Sequence, residues 1–215
     1  MTRRHARRSA GFTLIEVLLA TVLLAGGLAL AFATVRSAMA VSARGEAMAA
    51  QGERMRAVES FLRRRLASAL PVAMARDEST GLPLRFTGEA RQLRFVADVP
   101  DYLGRGGPYL HELKVVGEAD RLRLELGLLM VQDGEQVPEQ PERAPELLAD
   151  GLKTVTLRYR GIEAQTGQLG PWLPQWDAPE RLPVLVSIEV QPTQGPAWPP
   201  LVVTLPQYGN VGVNP

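Results

Sequence analysis

One stretch of sequence constrains this chain more than any other. It is an apolar run of 24 residues, from Phe12 to Val35, with a single charged side chain, Glu16. A helix of this length extends about 36 Å, which exceeds the roughly 30 Å hydrocarbon thickness of a bilayer. Four arginines precede the run within the first ten residues, and basic residues favour the cytoplasmic side. Residues 12–35 therefore predict a membrane-spanning helix, with the rest of the chain across the membrane.

A cleaved secretory signal and a permanent anchor both account for basic residues followed by an apolar run. The segment Ser37 to Ala40 offers a small-residue cleavage site for the first alternative. The run is, however, much longer than the roughly 7 to 15 apolar residues of an ordinary signal, and Glu16 interrupts it. An unpaired carboxylate inside lipid costs about 2.5–3.5 kcal/mol. Glu16 is therefore expected to need a cationic partner at the same depth.

That cation has to come from another chain or from processing, because no Lys, Arg or His lies between Phe12 and Val35. Cleavage between Gly11 and Phe12 would create an α-amino group at the very start of the apolar segment. A neighbouring helix shifted along its axis would bring this amine beside Glu16. Such pairing would order subunits in a filament.

A basic leader, then Gly11, Phe12 and the sequence Thr-Leu-Ile-Glu-Val-Leu-Leu-Ala, resembles the processing signal of type IV pilins and type II secretion pseudopilins. The resemblance implies that prepilin peptidase removes residues 1–11 as a leader and methylates the new terminal Phe12. It also implies that Glu16 assists assembly through the amine of a neighbouring subunit.

Gly26 and Gly27 lie in the middle of the apolar run. Glycine weakens a helix by about 1 kcal/mol relative to alanine in water, although it is common in membrane helices. Two interpretations stay open. The glycines allow close packing of neighbouring helices, or they form a weak point where the helix bends or melts as the subunit leaves the bilayer.

Residues 36–70 predict an amphipathic helix that ends before Pro71, because proline removes an interior N–H and clashes with the preceding turn. One face carries apolar residues at spacings of three and four: Met55, Val58, Leu62, Leu66 and Ala69. On the opposite face, Glu59 and Arg63 are placed for a favourable i,i+4 ion pair. A solvated helix face explains the arginines at 63–65, so no nucleic-acid partner is expected.

Beyond Pro71 the hydrophobic period changes to two, which is typical of half-buried antiparallel strands. The alternation covers residues 82–86, 93–99, 113–115, 122–126, 155–159, 184–190 and 201–205. Short turns at 87–90 and 117–120 favour hairpins, whereas acidic, proline-containing residues 132–145 are expected to form a surface loop. One long helix followed by about seven strands predicts an α+β fold, with residues 71–215 as a β-rich periplasmic domain.

All three tryptophans, Trp172, Trp176 and Trp198, lie near prolines. Such clusters can bind polyproline segments or sugars, but an indole gains most by packing against neighbours. We therefore expect them to cover one end of a sheet. Together with the chain length, Trp172, Trp176 and the segment 182–184 resemble minor pseudopilin J of the type II secretion system.

This second resemblance implies a pilin-like domain with two sheets on the long helix, placed at the tip of a pseudopilus. The implied partners are the I-type and K-type minor pseudopilins, the H-type and major pseudopilins, prepilin peptidase, inner-membrane lipid and secreted exoproteins. The implied location is the inner membrane of a Gram-negative bacterium, as a single-pass protein with its C-terminal domain in the periplasm.

The sequence offers little for catalysis. It has no Cys and two His, which excludes disulfides, thiolate zinc sites and cysteine nucleophiles, and no P-loop, G-x-S-x-G or H-E-x-x-H motif occurs. The best residual cluster is Asp98, Asp101, His111 and Glu112. Its two aspartates could hold calcium through oxygen ligands, but nothing in the sequence fixes their geometry. We therefore expect the protein to have no enzymatic activity and to bind no cofactor and no metal.

Three functions stay open at this level. The chain is a pseudopilus subunit, a minor pilin of a type IV pilus that serves adhesion, motility or DNA uptake, or a membrane-anchored periplasmic binding domain. The first two share processing after Gly11 and a role for Glu16, whereas the third predicts an intact leader.

Overall fold

The structure, a computed structural model, describes residues 11–99, 106–132, 134–137 and 143–207. The chain divides into two compact units between Glu53 and Arg54, and the helix α1, Leu14–Ala67, contributes residues to both. The strands of the described residues are β1 (Ala69–Leu70), β2 (Ala75–Arg76), β3 (Pro83–Leu84), β4 (Phe86–Gly88), β5 (Gln92–Val99), β6 (Gly107–Val116), β7 (Leu122–Gln132), β8 (Glu135–Val137), β9 (Glu146–Arg160), β10 (Leu185–Pro192) and β11 (Leu201–Thr204).

In the first unit, α1 exposes large apolar side chains all around its axis, from Leu14 to Met48. A helix that is apolar on every side requires an apolar surrounding, such as a bilayer or neighbouring helices. Within the described part of the chain, α1 is the one helix long and apolar enough to cross a membrane.

In the second unit, the end of α1 is amphipathic as predicted. Val58, Leu62 and Leu66 are buried, and Arg63 is paired with Glu59 at 3.0 Å on the outer side. The helix ends at Ala67 rather than at Leu70, because Ala69 and Leu70 form β1. The residue before a proline disfavours helical geometry, and β1 gains an antiparallel pairing with β5 instead.

One antiparallel sheet dominates the second unit. Its main path has seven strands in the order β1-β5-β6-β7-β9-β10-β11, with β4 also paired to β5 and β8 to β7. The predicted α+β fold of a long helix and about seven antiparallel strands is therefore confirmed. The separate ribbon β2–β3 is the second sheet of the described residues.

The two sheets that the resemblance implies are continuous with each other in this structure, because the 15-residue strand β9 connects them. Its first half pairs with β7, and its second half pairs with β10. Gly151 lies between the two halves with a φ of 62°, a left-handed conformation that glycine adopts without strain. A single bent strand thus belongs to both halves of the sheet.

The segment from Leu173 to Trp176 closes the sheet into a ring of hydrogen bonds. Leu173 exchanges two backbone hydrogen bonds with Tyr159 of β9, at 2.8 and 2.9 Å, and the Trp176 amide donates to the Gly88 carbonyl of β4 at 2.9 Å. Since β4 is linked to β9 through β5, β6 and β7, this segment bridges strands that would otherwise end in exposed edges.

Both faces of the sheet are covered. The larger core packs Val58, Leu62 and Leu66 of α1 against inward residues of most strands. On the opposite face, Met74, Val96, Leu110 and Val131 form a smaller cluster with partly buried residues around the β2–β3 ribbon. Both faces of the sheet therefore bury apolar side chains.

The predicted loop at 132–145 is wrong in part, since it contains β8, which pairs with the end of β7. The sequence Asp133-Gly134 is a two-residue hairpin signal, and Gly134 has a φ of 80°. The loop was predicted because residues 132–145 are acidic and contain proline, and this hairpin signal was not weighed against that composition.

Candidate functional site

The predicted cleavage point is the bond between Gly11 and Phe12, two residues before α1 begins. Both are exposed, and the Phe12 side chain is 85% accessible. The helix starts at Leu14, so the Gly11–Phe12 bond lies in non-helical backbone. This position leaves the bond accessible to an enzyme, because a peptidase needs an extended substrate rather than a helix.

The first turn of α1 is held by a reciprocal hydrogen-bond pair between Thr13 and Glu16. The Glu16 Oε2 atom accepts from the Thr13 backbone N–H and from its hydroxyl, both at 3.0 Å, while the Glu16 N–H donates to Thr13 Oγ1 at 3.3 Å. This is a capping box, in which Thr and a Glu three residues later satisfy helix donors that have no intrahelical partner.

The capping box refines the requirement for a partner of Glu16. Hydrogen bonds from Thr13 and the positive end of the helix dipole satisfy the carboxylate locally, but no side-chain cation neutralises its charge among the described residues of the first unit. The pattern Thr-x-x-Glu at residues 13–16 is the sequence signal of this capping box. Glu16 is thus fixed in orientation and still carries an uncompensated charge.

An apolar depression of about 430 Å³ lies next to this carboxylate. Its walls are Phe12, Val17, Ala20, Thr21 and Leu24, with Glu16 at its edge. A side chain of another helix would bury apolar surface there while approaching the carboxylate. The arrangement suits lateral association in which one polar contact is embedded in apolar packing.

Gly26 and Gly27 lie inside regular α1 helix. A Cβ atom added at either position would meet no atom of the described residues within 4 Å. Substitution at these positions is therefore free of steric cost within the subunit, so any requirement for glycine must come from neighbours or from helix bending.

The predicted cluster of Asp98, Asp101, His111 and Glu112 is not brought together. Asp98 is exposed on β5, and Asp101 lies outside the described residues. His111 is buried in the core, whereas Glu112 points to the other face of β6 and pairs with Lys114 at 2.7 Å and Arg94 at 3.5 Å. No group of three potential metal ligands occurs where the structure describes the chain.

His111 is instead a buried core residue. Its ring stacks on Phe95 with centroids 5.1 Å apart, and Nδ1 donates to the Tyr109 carbonyl at 3.0 Å, because a carbonyl only accepts. The Nε2 atom has no hydrogen-bond partner in the described chain. Desolvation, opposed by the Tyr109 hydrogen bond and reinforced by the nearby Arg65 cation, lowers the pKa of His111 to about 4.

We expect this histidine to make the β domain sensitive to acid. Since the folded pKa of about 4 lies below the ordinary 6.5, the unfolded chain binds the proton first. Stability is retained above about pH 6.5 and falls by about 1.4 kcal/mol per pH unit towards pH 4, roughly 3 kcal/mol in total. Urea unfolding followed by tryptophan fluorescence, across this pH range, measures the loss.

The matched variant is His111→Leu, which replaces the imidazole by an apolar side chain of similar size and so removes the titrating group. The difference in unfolding free energy between wild type and variant should shift by about 2–3 kcal/mol between pH 6.5 and 4.5. A difference that does not change with pH would show that His111 is not the titrating group.

Trp176 packs into the core where the segment 173–176 joins β4 to β9, as the packing interpretation of the tryptophans predicted. It is 8% exposed and belongs to the main core, and its Nε1 donates to the Arg181 carbonyl at 2.9 Å. Its ring lies so close to Gly161 that an added Cβ would sit 2.3 Å from Cη2. Trp172 is half-buried under the Arg160 guanidinium, 5.8 Å from the ring centroid.

Comparisons with known proteins agree with both ends of this architecture. The family "Type II secretion system (T2SS), protein J" matches residues 33–204, and the "Prokaryotic N-terminal methylation motif" matches residues 6–32. The type II secretion system protein J of Xanthomonas campestris pv. campestris is 57% identical over 205 residues, covering 95% of this chain and 97% of that protein.

A solved structure, that of the GspK-GspI-GspJ complex from the type 2 secretion system of enterotoxigenic Escherichia coli, contains a similar chain. The similarity has a TM-score of 0.48 and 15% identity, and covers 72% of this chain and 98% of that one. The methylation motif and the apolar helix fit a single-pass inner-membrane anchor with the C-terminal domain in the periplasm.

Proposed function

The chain belongs to the type II secretion system protein J family, and we propose that it acts as a minor pseudopilin. In this role it is a structural subunit at the tip of the pseudopilus, where it helps to start assembly and supports export of folded exoproteins across the outer membrane. It performs no catalysis itself. The observation that carries this proposal is the oriented, uncompensated Glu16 carboxylate four residues after an accessible Gly11–Phe12 bond.

The proposed processing step is cleavage after Gly11 by prepilin peptidase, which removes residues 1–11, followed by methylation of the Phe12 amine. An α-amino group is a cation at neutral pH, and methylation preserves that charge. Processing therefore places a positive charge one residue before the capping box. The mature subunit then carries both members of an intermolecular ion pair at one end of α1.

The proposed assembly step pairs Glu16 of one subunit with the Phe12 amine of a neighbour. Within lipid, an unpaired carboxylate costs about 2.5–3.5 kcal/mol, so pairing is favoured over isolation. The depression lined by Val17 and Leu24 accommodates an apolar side chain of the adjacent helix. Residues 12–35 would thus serve first as membrane anchor and then as filament core, with residues 71–215 in the periplasm.

The proposed partners are the I-type and K-type minor pseudopilins, with the H-type and major pseudopilins joining the same fibre. Membership of the protein J family supports this choice. Inner-membrane lipid surrounds the helix before assembly, and secreted exoproteins are candidate contacts of the β domain.

We also propose that Gly26 and Gly27 form a weak point that lets α1 deform during extraction from the bilayer. The double variant Gly26→Leu, Gly27→Leu gains about 2 kcal/mol of helix propensity, and its added Cβ atoms meet no atom in the described part of the chain. It should insert and be processed normally, but the fraction recovered in sheared fibres should fall severalfold. Normal recovery in fibres would remove support for the weak point.

Deletion of the gene tests the proposed function directly. Loss of exoprotein secretion, with twitching motility and DNA uptake intact, is expected, and complementation should restore secretion. Loss of motility or DNA uptake with normal secretion would favour a minor pilin instead.

A further inference from the structure

A preformed groove lies beside the closure of the sheet, between the hairpin 162–169 and the segment 176–181. We infer that this hairpin groove receives an apolar side chain that is flanked by Lys or Arg on another subunit of the same fibre. The inference rests on the proposed function for its choice of partner. The groove has a volume of about 350 Å³, and its principal lining residues are Ile162, Glu163, Pro171, Trp176, Asp177 and Arg181.

The walls of the hairpin groove are held in place before any partner binds. On one side, the Glu163 amide donates to the Gln168 carbonyl and the Gly167 amide to the Glu163 carbonyl, both at 2.9 Å. On the other side, the Trp176 indole N–H donates to the Arg181 carbonyl at 2.9 Å. A preorganised site avoids the entropic cost of ordering loops on binding, which favours a specific contact.

The interior of the groove is apolar and partly open. Ile162 is 43% exposed and lines the groove with Pro171, Leu173 and the buried Trp176 ring. An exposed β-branched residue next to an aromatic wall gains free energy when an apolar side chain covers it. The occupant therefore presents an apolar side chain.

The rim of the groove carries two carboxylates, Glu163 and Asp177, and one guanidinium, Arg181. The Asp177 carboxylate has no ion pair or hydrogen bond among the described residues, and Glu163 accepts from the Thr166 hydroxyl at 3.1 Å. The Arg181 guanidinium lies over the Trp176 ring, 6.0 Å from its centroid, and its Nε atom is 3.9 Å from Glu180. Because the two carboxylates outnumber the one guanidinium of the lining, the rim favours an occupant that carries a basic residue next to its apolar one.

Photo-crosslinking in membranes tests this inference with the full chain. A benzophenone amino acid is placed at Ile162, and the subunit is co-expressed with prepilin peptidase and the I-type, K-type and H-type subunits. Val202, which is 42% exposed on β11, provides a matched control position in the same domain. A third position, Leu23 in α1, reports contacts between membrane helices.

The expected result is a crosslink from position 162 to one of these subunits, with little from position 202. The double variant Glu163→Lys, Asp177→Lys should reduce this crosslink about tenfold, as reversal of rim charges typically weakens a charged contact. The control Glu118→Lys, Asp120→Lys, a double charge reversal at an exposed turn, should leave the crosslink unchanged. Replacement of the contacting basic residue of the partner by Glu should restore crosslinking to the double variant.

Crosslinks from position 23 without any from position 162 would overturn the groove and leave the proposed function intact. A crosslink from 162 that is insensitive to charge reversal would overturn the basic occupant, and a crosslink to a second copy of this chain or to its own residues 208–215 would overturn the choice of partner. Absence of crosslinks from both 23 and 162 would count against the proposed function itself.

Discussion

Replacing Glu16 by alanine is expected to leave cleavage after Gly11 intact and to reduce incorporation into fibres by at least about tenfold. The variant removes the carboxylate that would pair with a neighbour's amine in a medium of low dielectric constant, where such a pair is strongly favoured over separated charges. It also removes one half of the capping box with Thr13. The measurement is the ratio of subunit in sheared fibres to subunit in membranes.

Two matched variants separate charge from helix capping. Glu16→Gln keeps an acceptor for the Thr13 hydrogen bonds and lacks the charge, so it should fail in fibres as severely as Glu16→Ala. Glu46→Ala changes an acidic residue of the same helix outside the apolar run and should incorporate normally. Wild-type incorporation of Glu16→Gln would refute the ion pair and leave only capping.

The second large effect is expected from Trp176→Ala, which should destabilise the β domain by about 3–5 kcal/mol. The change removes a buried indole from the core, deletes the hydrogen bond to the Arg181 carbonyl and leaves a cavity beside Gly161. Since Trp176 also anchors the segment that closes the sheet, β4 and β9 should lose protection in hydrogen exchange together.

Trp172→Ala serves as the control for this prediction. Its ring is half-buried and its main described partner is the Arg160 guanidinium, so the loss should be about 1 kcal/mol. Urea unfolding of both variants measures the two values. Equal losses would contradict the assignment of Trp176 as the packing centre of the closure.

Local patterns in the sequence were sufficient for the elements that are stabilised locally. The period-two alternation of residues 93–99 and 184–190 corresponds to β5 and β10, because alternate side chains of each strand enter the larger core. The spacing of Val58, Leu62 and Leu66 identified the buried face of α1. In each case the same side chains determine both the local pattern and the packing.

Features created by distant partners could not be read in this way. Ala69 and Leu70 are helix-compatible but pair with β5, and the segment 173–176 has no periodicity although it closes the sheet. His111 appeared as a candidate ligand because sequence alone gives no burial. Its environment depends on Phe95 and Arg65, which lie on other elements.

The proposed assembly depends on one chemical event, the creation of a cation at Phe12. Intact-mass and N-terminal peptide mass spectrometry of the membrane-extracted chain, co-expressed with active prepilin peptidase, measures it directly. The proposed assembly predicts a chain that begins at a monomethylated Phe12 and lacks residues 1–11, and an inactive peptidase should leave the leader in place. A chain that still begins at Met1 beside an active peptidase would contradict it.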